Sequence, residues 1–215
     1  MSPPVHYALT ELLIVAACIF SVIKLNKYNY YFASFGVVLI GIAAAIGAIR
    51  FGLLNTEIII QLNNALAPYA GVLCLSLVTT QIVFNLNFKN LGWLVFALSL
   101  LSIVSGFIWP KILLIKLIYF WSILSIILVL LIPDKNISNH GYYHQPKLAS
   151  MYQKHSIRIF KSILMSILLI SFLTVSKRGL LTNSLGADLS FHLYHALIAI
   201  WAISINFVIK EKNND

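Results

Sequence analysis

Acidic side chains and cysteines are scarce in this chain, which has six Asp and Glu residues and two cysteines among 215 residues. Cys18 and Cys74 lack CxxC spacing and both fall within apolar stretches, so a disulfide framework is excluded and packing as small apolar residues is expected. Charged residues make up 10% of the chain and hydrophobic residues make up 60%. Soluble domains carry about 25% charged residues, so the composition excludes that class and predicts a membrane protein.

Long apolar runs occupy most of the sequence. A helix needs about 20 predominantly apolar residues to cross a bilayer, and seven windows approach or exceed this length. They are Tyr7–Ile23, Tyr31–Leu54, Ile58–Phe84, Leu91–Trp109, Ile112–Ile132, Ile157–Ser176 and Asp188–Ile209. We therefore predict an all-α polytopic membrane protein in which residues 1–215 form a single seven-helix transmembrane domain. The division between the fourth and fifth windows rests on Pro110 alone.

Basic residues divide unequally between the two sides of this predicted bundle. With the amino terminus outside, ten of the fifteen fall on the cytoplasmic side, namely Lys24, Lys27, Lys89, Lys135, Lys147, Lys154, Arg158, Lys161, Lys210 and Lys212. Because cytoplasmic loops carry an excess of Lys and Arg, we expect an outside amino terminus, a cytoplasmic carboxyl terminus and a cytoplasmic loop at 133–155. The expected location is a plasma membrane of the bacterial inner-membrane type. The net charge of +9 then comes from basic residues that flank the membrane spans, and no nucleic-acid partner is expected.

Reporter proteins fused after Lys210 test this orientation. We expect a green fluorescent protein at that position to fluoresce and an alkaline phosphatase to be inactive, because the phosphatase needs disulfides that form only outside the cytoplasm. An active phosphatase and a dark fluorescent protein would reverse the orientation and place the 133–155 loop outside.

The seventh window carries ionisable side chains on one helix face. Asp188, His192 and His195 are separated by four and three residues, which places them together on a helix, whereas Leu193 and Ile200 point to other faces. Ionisable groups at membrane depth are costly and commonly functional. We therefore expect the two imidazoles to face the bundle interior and the two aliphatic side chains to face lipid.

Polar residues of the other helices are predicted to lie at the same end of the bundle, because consecutive spans run in opposite directions. This predicted polar cluster consists of Glu11, Arg50, Glu57, Asn63, Asn64, Asp188, His192 and His195. Simpler roles are also open at this stage. Asp188 can cap the seventh helix, Arg50 can extend to the headgroups, and the two asparagines can join helices by hydrogen bonds.

Metal binding is one chemistry that the spacing permits. Side chains three or four residues apart on a helix lie about 5 to 6 Å from each other, which suits ligands of one zinc ion. The candidate ligands on this helix are His192, His195 and Asp188, of which Asp188 with His192, or His192 with His195, would supply two. The third would come from another helix, from Glu11, Glu57 or His6. Zinc-activated water can attack a carbonyl carbon.

The pattern of the chain resembles the superfamily of alkaline ceramidases and progestin/adiponectin-type receptors, as a divergent bacterial-type relative. It has an acidic residue near the start of the first helix, a small-residue second helix that ends in a basic position, and a polar start to the third helix. The segment 191–197 resembles the histidine box of that family. The resemblance implies a bundle of seven helices with a zinc ion held by one histidine of the second helix and two of the seventh. It also implies that the protein hydrolyses a lipid amide.

Three positions depart from the family pattern. His192 and His195 are three residues apart where the family has a spacing of four, Arg50 stands where the second-helix histidine would fall, and Asn63 lies where the third helix would carry Asp. A guanidinium beside a divalent cation raises the energy of the site by about 4 kcal/mol per unit charge at close range. These departures favour a metal-free site over a zinc site.

Three functions therefore stay open. The first is a non-catalytic or lipid-binding membrane protein with membrane lipids as partners and no cofactor, in which Arg50 pairs with Asp188, Glu11 or Glu57 in place of a metal. The alternative is a zinc-dependent lipid amide hydrolase. The second alternative is a small transporter or proton path, for which Asp188 and the histidines offer titratable groups.

Overall fold

Helices form all of the regular secondary structure in the described part of the chain. The computed structural model describes residues 4–108, 111–131, 147–175 and 180–209, and within them there is no strand. The helices are α1 (Tyr7–Lys27), α2 (Tyr31–Gly52), α3 (Glu57–Asn85), α4 (Lys89–Ile108), α5 (Lys111–Leu131), α6 (Lys147–Thr174), α7 (Thr182–Leu185) and α8 (Ala187–Ile209). The all-α class is confirmed.

Six of these helices are long and apolar enough to cross a membrane, by length and composition: α1, α2, α3, α8, and the segments 113–131 of α5 and 156–174 of α6. The apolar stretch found in α4 is shorter and covers Lys89–Ser105. The chain is therefore a helical protein with the composition of a multi-pass membrane protein. The count of seven spans stays a prediction.

One helix begins well before the predicted position. α6 begins at Lys147, inside the segment 133–155 that was predicted to be a loop, and residues 132–146 lie outside the described part of the chain. The nine residues from 147 to 155 contain neither glycine nor proline, so helical backbone can extend beyond the apolar window. The seventh predicted span corresponds to α8, and the single-turn helix α7 precedes it.

Six helices form a closed ring. Going around it, α1 contacts α2, α2 contacts α3, α3 contacts α5, α5 contacts α6, α6 contacts α8, and α8 returns to α1. α4 packs mainly against the outside of α3 and touches α5 less extensively. The first and last helices of the chain are therefore direct neighbours, and side chains from both ends of the sequence can share one site.

The ring is packed tightly where α2 meets α3. A Cβ atom added at Gly36 would lie 3.0 Å from the Cα atom and 3.1 Å from the carbonyl oxygen of Cys74, so only glycine allows the two backbones to approach this closely. Both cysteines are free and buried, which agrees with the packing role expected from the sequence. The second half of α3 has almost no exposed surface because it contacts α2, α4, α5 and α8.

Side-chain hydrogen bonds join α8 to its neighbours in its second half. The Ser21 hydroxyl donates to the Ala202 carbonyl oxygen at 2.8 Å, and the Asn206 amide donates to the Ser21 hydroxyl oxygen at 3.0 Å. Where α3 and α8 end, on opposite sides of the ring, the Asn85 amide donates to the Ile209 carbonyl oxygen at 3.2 Å. Here α3 and α8 touch across the ring and close it, so any internal space lies towards the other end.

Alanine substitution of two glycines tests the close approach of α2 and α3. Both Gly36→Ala and Gly71→Ala gain the same helix propensity, but at Gly71 the new methyl group meets the Ile118 side chain at ordinary contact distance, with Cδ1 nearest at 3.5 Å. We expect Gly36→Ala to be the less stable variant by about 1 to 3 kcal/mol, because overpacking moves backbone. Unfolding in detergent, followed by circular dichroism, measures the difference. Equal stability would mean that the contact with Cys74 imposes no constraint.

Candidate functional site

A cavity of about 480 Å³ lies inside the ring, at the end where α1, α3, α5 and α8 begin and where α2 and α6 end. Most of its lining is aliphatic or aromatic. The side chains that bring polar atoms to it are Glu11, Arg50, Asn63, Tyr194 and His195. An apolar space with a few convergent polar groups is the usual form of a small-molecule binding site, and this cavity is the candidate functional site.

Glu11 and His195 form the central polar contact of this cavity. The Nε2 atom of His195 lies 3.3 Å from Oε1 of Glu11, and the two side chains are 13% and 9% exposed. Glu11 lies against Gly47 of α2, where an added Cβ atom would be 2.6 Å from Oε1. α1 supplies the carboxylate, α8 the imidazole and α2 a backbone without a side chain, so three helices together create the position of this pair.

The contacts of His195 distinguish its two ring nitrogens. Nδ1 lies 2.7 Å from the carbonyl oxygen of Phe191, and a carbonyl accepts but does not donate, so Nδ1 carries a proton. Nε2 is then the ring nitrogen that faces the carboxyl group of Glu11, at 3.3 Å. The imidazole is thus held by a backbone carbonyl on one side and by a side chain of another helix on the other.

Arg50 lies at the polar end of the cavity, and none of the carboxylates in the described part of the chain pairs with it. Its Nη1 donates to Oδ1 of Asn64 at 3.2 Å, and its guanidinium carbon lies 5.0 Å from the centre of the Phe51 ring. Its Nε atom is buried and has no hydrogen-bond partner. Asn63, which is 9% exposed, also lines the cavity, whereas Asn64 is exposed. The two asparagines therefore have separate roles.

An aromatic cluster joins α1 to α8 beside the cavity. The Tyr7 ring stacks on Phe191 at a centroid separation of 3.9 Å, and the Tyr7 hydroxyl donates to Oδ1 of Asp188. Phe191 also stacks on His195 at 3.9 Å. His192 contacts the Tyr7 ring edge to face at 5.4 Å. Asp188 thus serves to hold Tyr7 in place, and the stacked rings fix the position of the His195 imidazole.

The predicted polar cluster is divided in the structure. Glu11, Arg50, Asn63 and His195 lie together at the cavity. The remaining four lie elsewhere: Asp188 and His192 in the aromatic cluster, Asn64 on the exposed side of Arg50, and Glu57 at an exposed position, where it accepts a hydrogen bond from Gln61 at 3.0 Å. Leu193 and Ile200 are 40% and 50% exposed, as expected of lipid-facing side chains.

The expected ion pair of Arg50 is not found. Asp188, Glu11 and Glu57 all lie in the described residues, and none is within 4.0 Å of the guanidinium nitrogens. The physical reason is that each carboxylate already has a nearer partner, since His195, Tyr7 and Gln61 engage them in turn. Spacing along a helix predicts a shared face, but it does not determine which neighbour each side chain contacts.

Three aromatic residues position the site although the sequence did not predict this role for them: Tyr7, Phe51 and Phe191. One signal for Tyr7 is present in the sequence, because it precedes Glu11 by four residues and so shares its helix face. The two phenylalanines carry no such signal among the 13 in the chain. Their importance follows from the tertiary contacts that bring 51 and 191 together, with ring centroids 5.5 Å apart.

The geometry of the proposed zinc ligands does not favour a shared ion. In the described ranges no group of three His, Cys, Asp or Glu side chains is placed to hold one metal. His195 uses both ring nitrogens, with Phe191 and Glu11, and Asp188 accepts from Tyr7. His192 retains a buried Nδ1 with no hydrogen-bond partner. The described residues therefore do not form the three-ligand zinc site that the family resemblance implies.

Comparison with protein-family models, with curated proteins and with solved structures found no match to this chain. The chemistry of the site therefore rests on the residues and contacts described above.

A double-mutant cycle tests the contact between Glu11 and His195. We expect Glu11→Gln and His195→Gln each to destabilise the protein and the double variant to lose less than their sum, with a coupling free energy of about 0.5 to 3 kcal/mol. Unfolding in mixed SDS micelles measures all four proteins.

The exposed pair of Glu57 and Gln61 on α3 provides a matched control. A cycle through Glu57→Gln and Gln61→Leu should give a coupling of about 0.2 to 0.5 kcal/mol, because exposed pairs on one helix contribute little. Additive effects at Glu11 and His195 would contradict the contact.

Proposed function

We propose that this protein is a non-catalytic integral membrane protein that binds a membrane lipid within the helix bundle. The observation that carries the proposal is the cavity of about 480 Å³, whose lining is apolar along most of its length and polar at one end. An amphiphile matches this arrangement, because its chain and its head need the two environments in the same order. Membrane lipids are the amphiphiles available to a bundle of apolar helices.

The contacts that the ionisable side chains make with one another favour lipid binding over lipid hydrolysis. A hydrolase of the resembling family needs a metal-activated water and three protein ligands. Here Glu11 and His195 satisfy each other, and Arg50 contributes a permanent positive charge at the place where that family has a metal ligand. A proton path also finds less support, because the described cavity side chains with ionisable groups lie at one end of the bundle only.

Three further features belong to this proposal. α4 spans the membrane with the other six helices, giving seven spans, since its 20 residues pack against α3 and α5. The chain is a divergent relative of the ceramidase and progestin/adiponectin receptor-like superfamily, as the segment 191–197 suggests. It resides in a plasma membrane of the bacterial inner-membrane type with its amino terminus outside. The cavity, which lies at the end where α1 begins, is then in the outer half of the bilayer.

Lipid retained by the purified protein tests the proposed function. We expect the full chain, extracted in a mild detergent, to carry about one amphiphile per chain in native mass spectrometry, because the cavity size is that of a site for one small ligand. Gly71→Leu should lose this ligand, since Gly71 lines the cavity and its substituent has room to enter it. Leu193→Phe is the control, because it adds volume on the exposed face of α8.

Three results would contradict the proposal. Retention of the amphiphile by Gly71→Leu would place the bound lipid outside the cavity. One zinc ion per chain in elemental analysis, together with release of a fatty acid from a lipid amide, would instead establish the hydrolase. Loss of ligand from Leu193→Phe as well would show that retention depends on the bundle surface.

A further inference from the structure

One charged side chain of the cavity lining has no described counter-charge. The ionisable side chains that line the cavity are Glu11, Arg50, Tyr194 and His195. Glu11 has a partner in the lining, since its Oε1 lies 3.3 Å from Nε2 of His195. Arg50 is permanently charged, and none of the described carboxylates lies within 4.0 Å of its guanidinium nitrogens.

We propose that the cavity binds a single-chain amphiphile with an anionic oxygen head, either a carboxylate or a phosphate, and that Arg50 recognises the head. This inference rests on the proposed function and specifies the ligand class of the same site. A permanently charged guanidinium in an apolar surrounding attracts an anion strongly, because charges are poorly screened there. The bound head would supply the charge that no described carboxylate supplies.

The hydrogen bonds of Arg50 leave donors for such a head. Nη1 donates to the Oδ1 atom of the exposed Asn64, and Nε is buried, so a head in the cavity approaches the Nη end of the guanidinium. The residue as a whole is half-buried and lines the cavity. Because a guanidinium forms charge-assisted hydrogen bonds with carboxylates and phosphates, an anionic oxygen head suits this position better than an alcohol.

Asn63 is placed to contribute a second contact at this end of the cavity. It is 9% exposed, lines the cavity, and lies on α3 directly before the Asn64 that orients Arg50. An amide side chain both donates and accepts hydrogen bonds. It can therefore donate to a head oxygen that Arg50 does not use.

The apolar remainder of the lining selects one chain. The side chains beyond the polar end include Ile14, Ile40, Leu75, Ile118 and Leu168. The volume of about 480 Å³ lies in the lower half of the roughly 300 to 1,000 Å³ range of small-ligand sites. A space of this size suits a single hydrocarbon chain, and a two-chain phospholipid would leave one chain outside it.

Binding of three radiolabelled probes of equal chain length tests the inference: palmitate, hexadecyl phosphate and the neutral hexadecanol. The full-length protein is assayed by scintillation proximity at a fixed concentration of a non-ionic detergent. We expect both anionic probes to bind about tenfold or more tightly than hexadecanol, the ratio typical of a hydrogen-bonded charged contact. Their order separates a carboxylate from a phosphate as the natural head.

Variants of Arg50 identify the residue that gives this preference. Arg50→Gln should bind the three probes with equal affinity, and Arg50→Lys should keep part of the preference, because lysine retains the charge but lacks the planar fork. Lys24→Gln is the matched control: it removes a cation from the last turn of α1, outside the cavity lining, and should leave the preference unchanged. If Arg50→Gln does not fold, the reduced preference of Arg50→Lys tests the role of Arg50.

The results that overturn the inference are distinct from those that overturn the proposed function. If the parent protein binds hexadecanol as tightly as the anionic probes and Gly71→Leu abolishes all binding, the head assignment is wrong and the lipid-binding function stands. If no probe binds, both fail. Displacement of hexadecyl phosphate by dipalmitoyl phosphatidate at equal concentration would refute the single chain.

Discussion

A carboxylate held in an apolar interior must find a hydrogen-bond donor or lose its charge, and this constraint shapes the polar end of the bundle. Glu11 meets it through His195, and the contact is possible only because α1 and α8 are adjacent and because Gly47 of α2 has no side chain in the way. The imidazole is in turn held by the Phe191 carbonyl and ring. A contact between residues 184 positions apart thus depends on closure of the whole ring.

The two ends of the ring differ because their side chains differ in size and polarity. At the closed end, Trp201 and Ile205 are fully buried and the Ser21, Ala202 and Asn206 hydrogen bonds hold α1 to α8. At the other end the cavity is lined mostly by aliphatic and aromatic side chains, among which a few alanines and Gly71 leave space. Pro68, which also lines the cavity, has no N–H group to donate to the hydrogen-bond ladder of α3. Packing is dense at the closed end, and the cavity lies where these small residues and the polar side chains meet.

The sequence predicted the elements of this site better than its contacts. Apolar windows and helix periodicity place His195 on an inward face and bring Glu11, Arg50 and Asn63 to one end of the bundle, since both signals depend on local spacing. They do not determine that Tyr7 takes Asp188 or that Glu57 remains exposed beside Gln61. Those outcomes depend on the rotation of each helix and on the competition among several partners, which are tertiary properties. The start of α6 was missed for a related reason, because an apolar window marks a membrane span and not the end of a helix.

Arg50 shows how one charged side chain can decide the chemistry of a polar site inside a helix bundle. A bundle of this kind provides a polar end within an apolar interior, and the chemistry of that end depends on the charges placed there. A metal ion brings positive charge that is exchangeable and polarises a bound water, whereas a guanidinium brings positive charge that is permanent and offers only N–H donors. In the proposal above, an anionic head pairs with this permanent charge, because Glu11 already has His195 as its partner and none of the described carboxylates lies within 4.0 Å of the Arg50 guanidinium nitrogens.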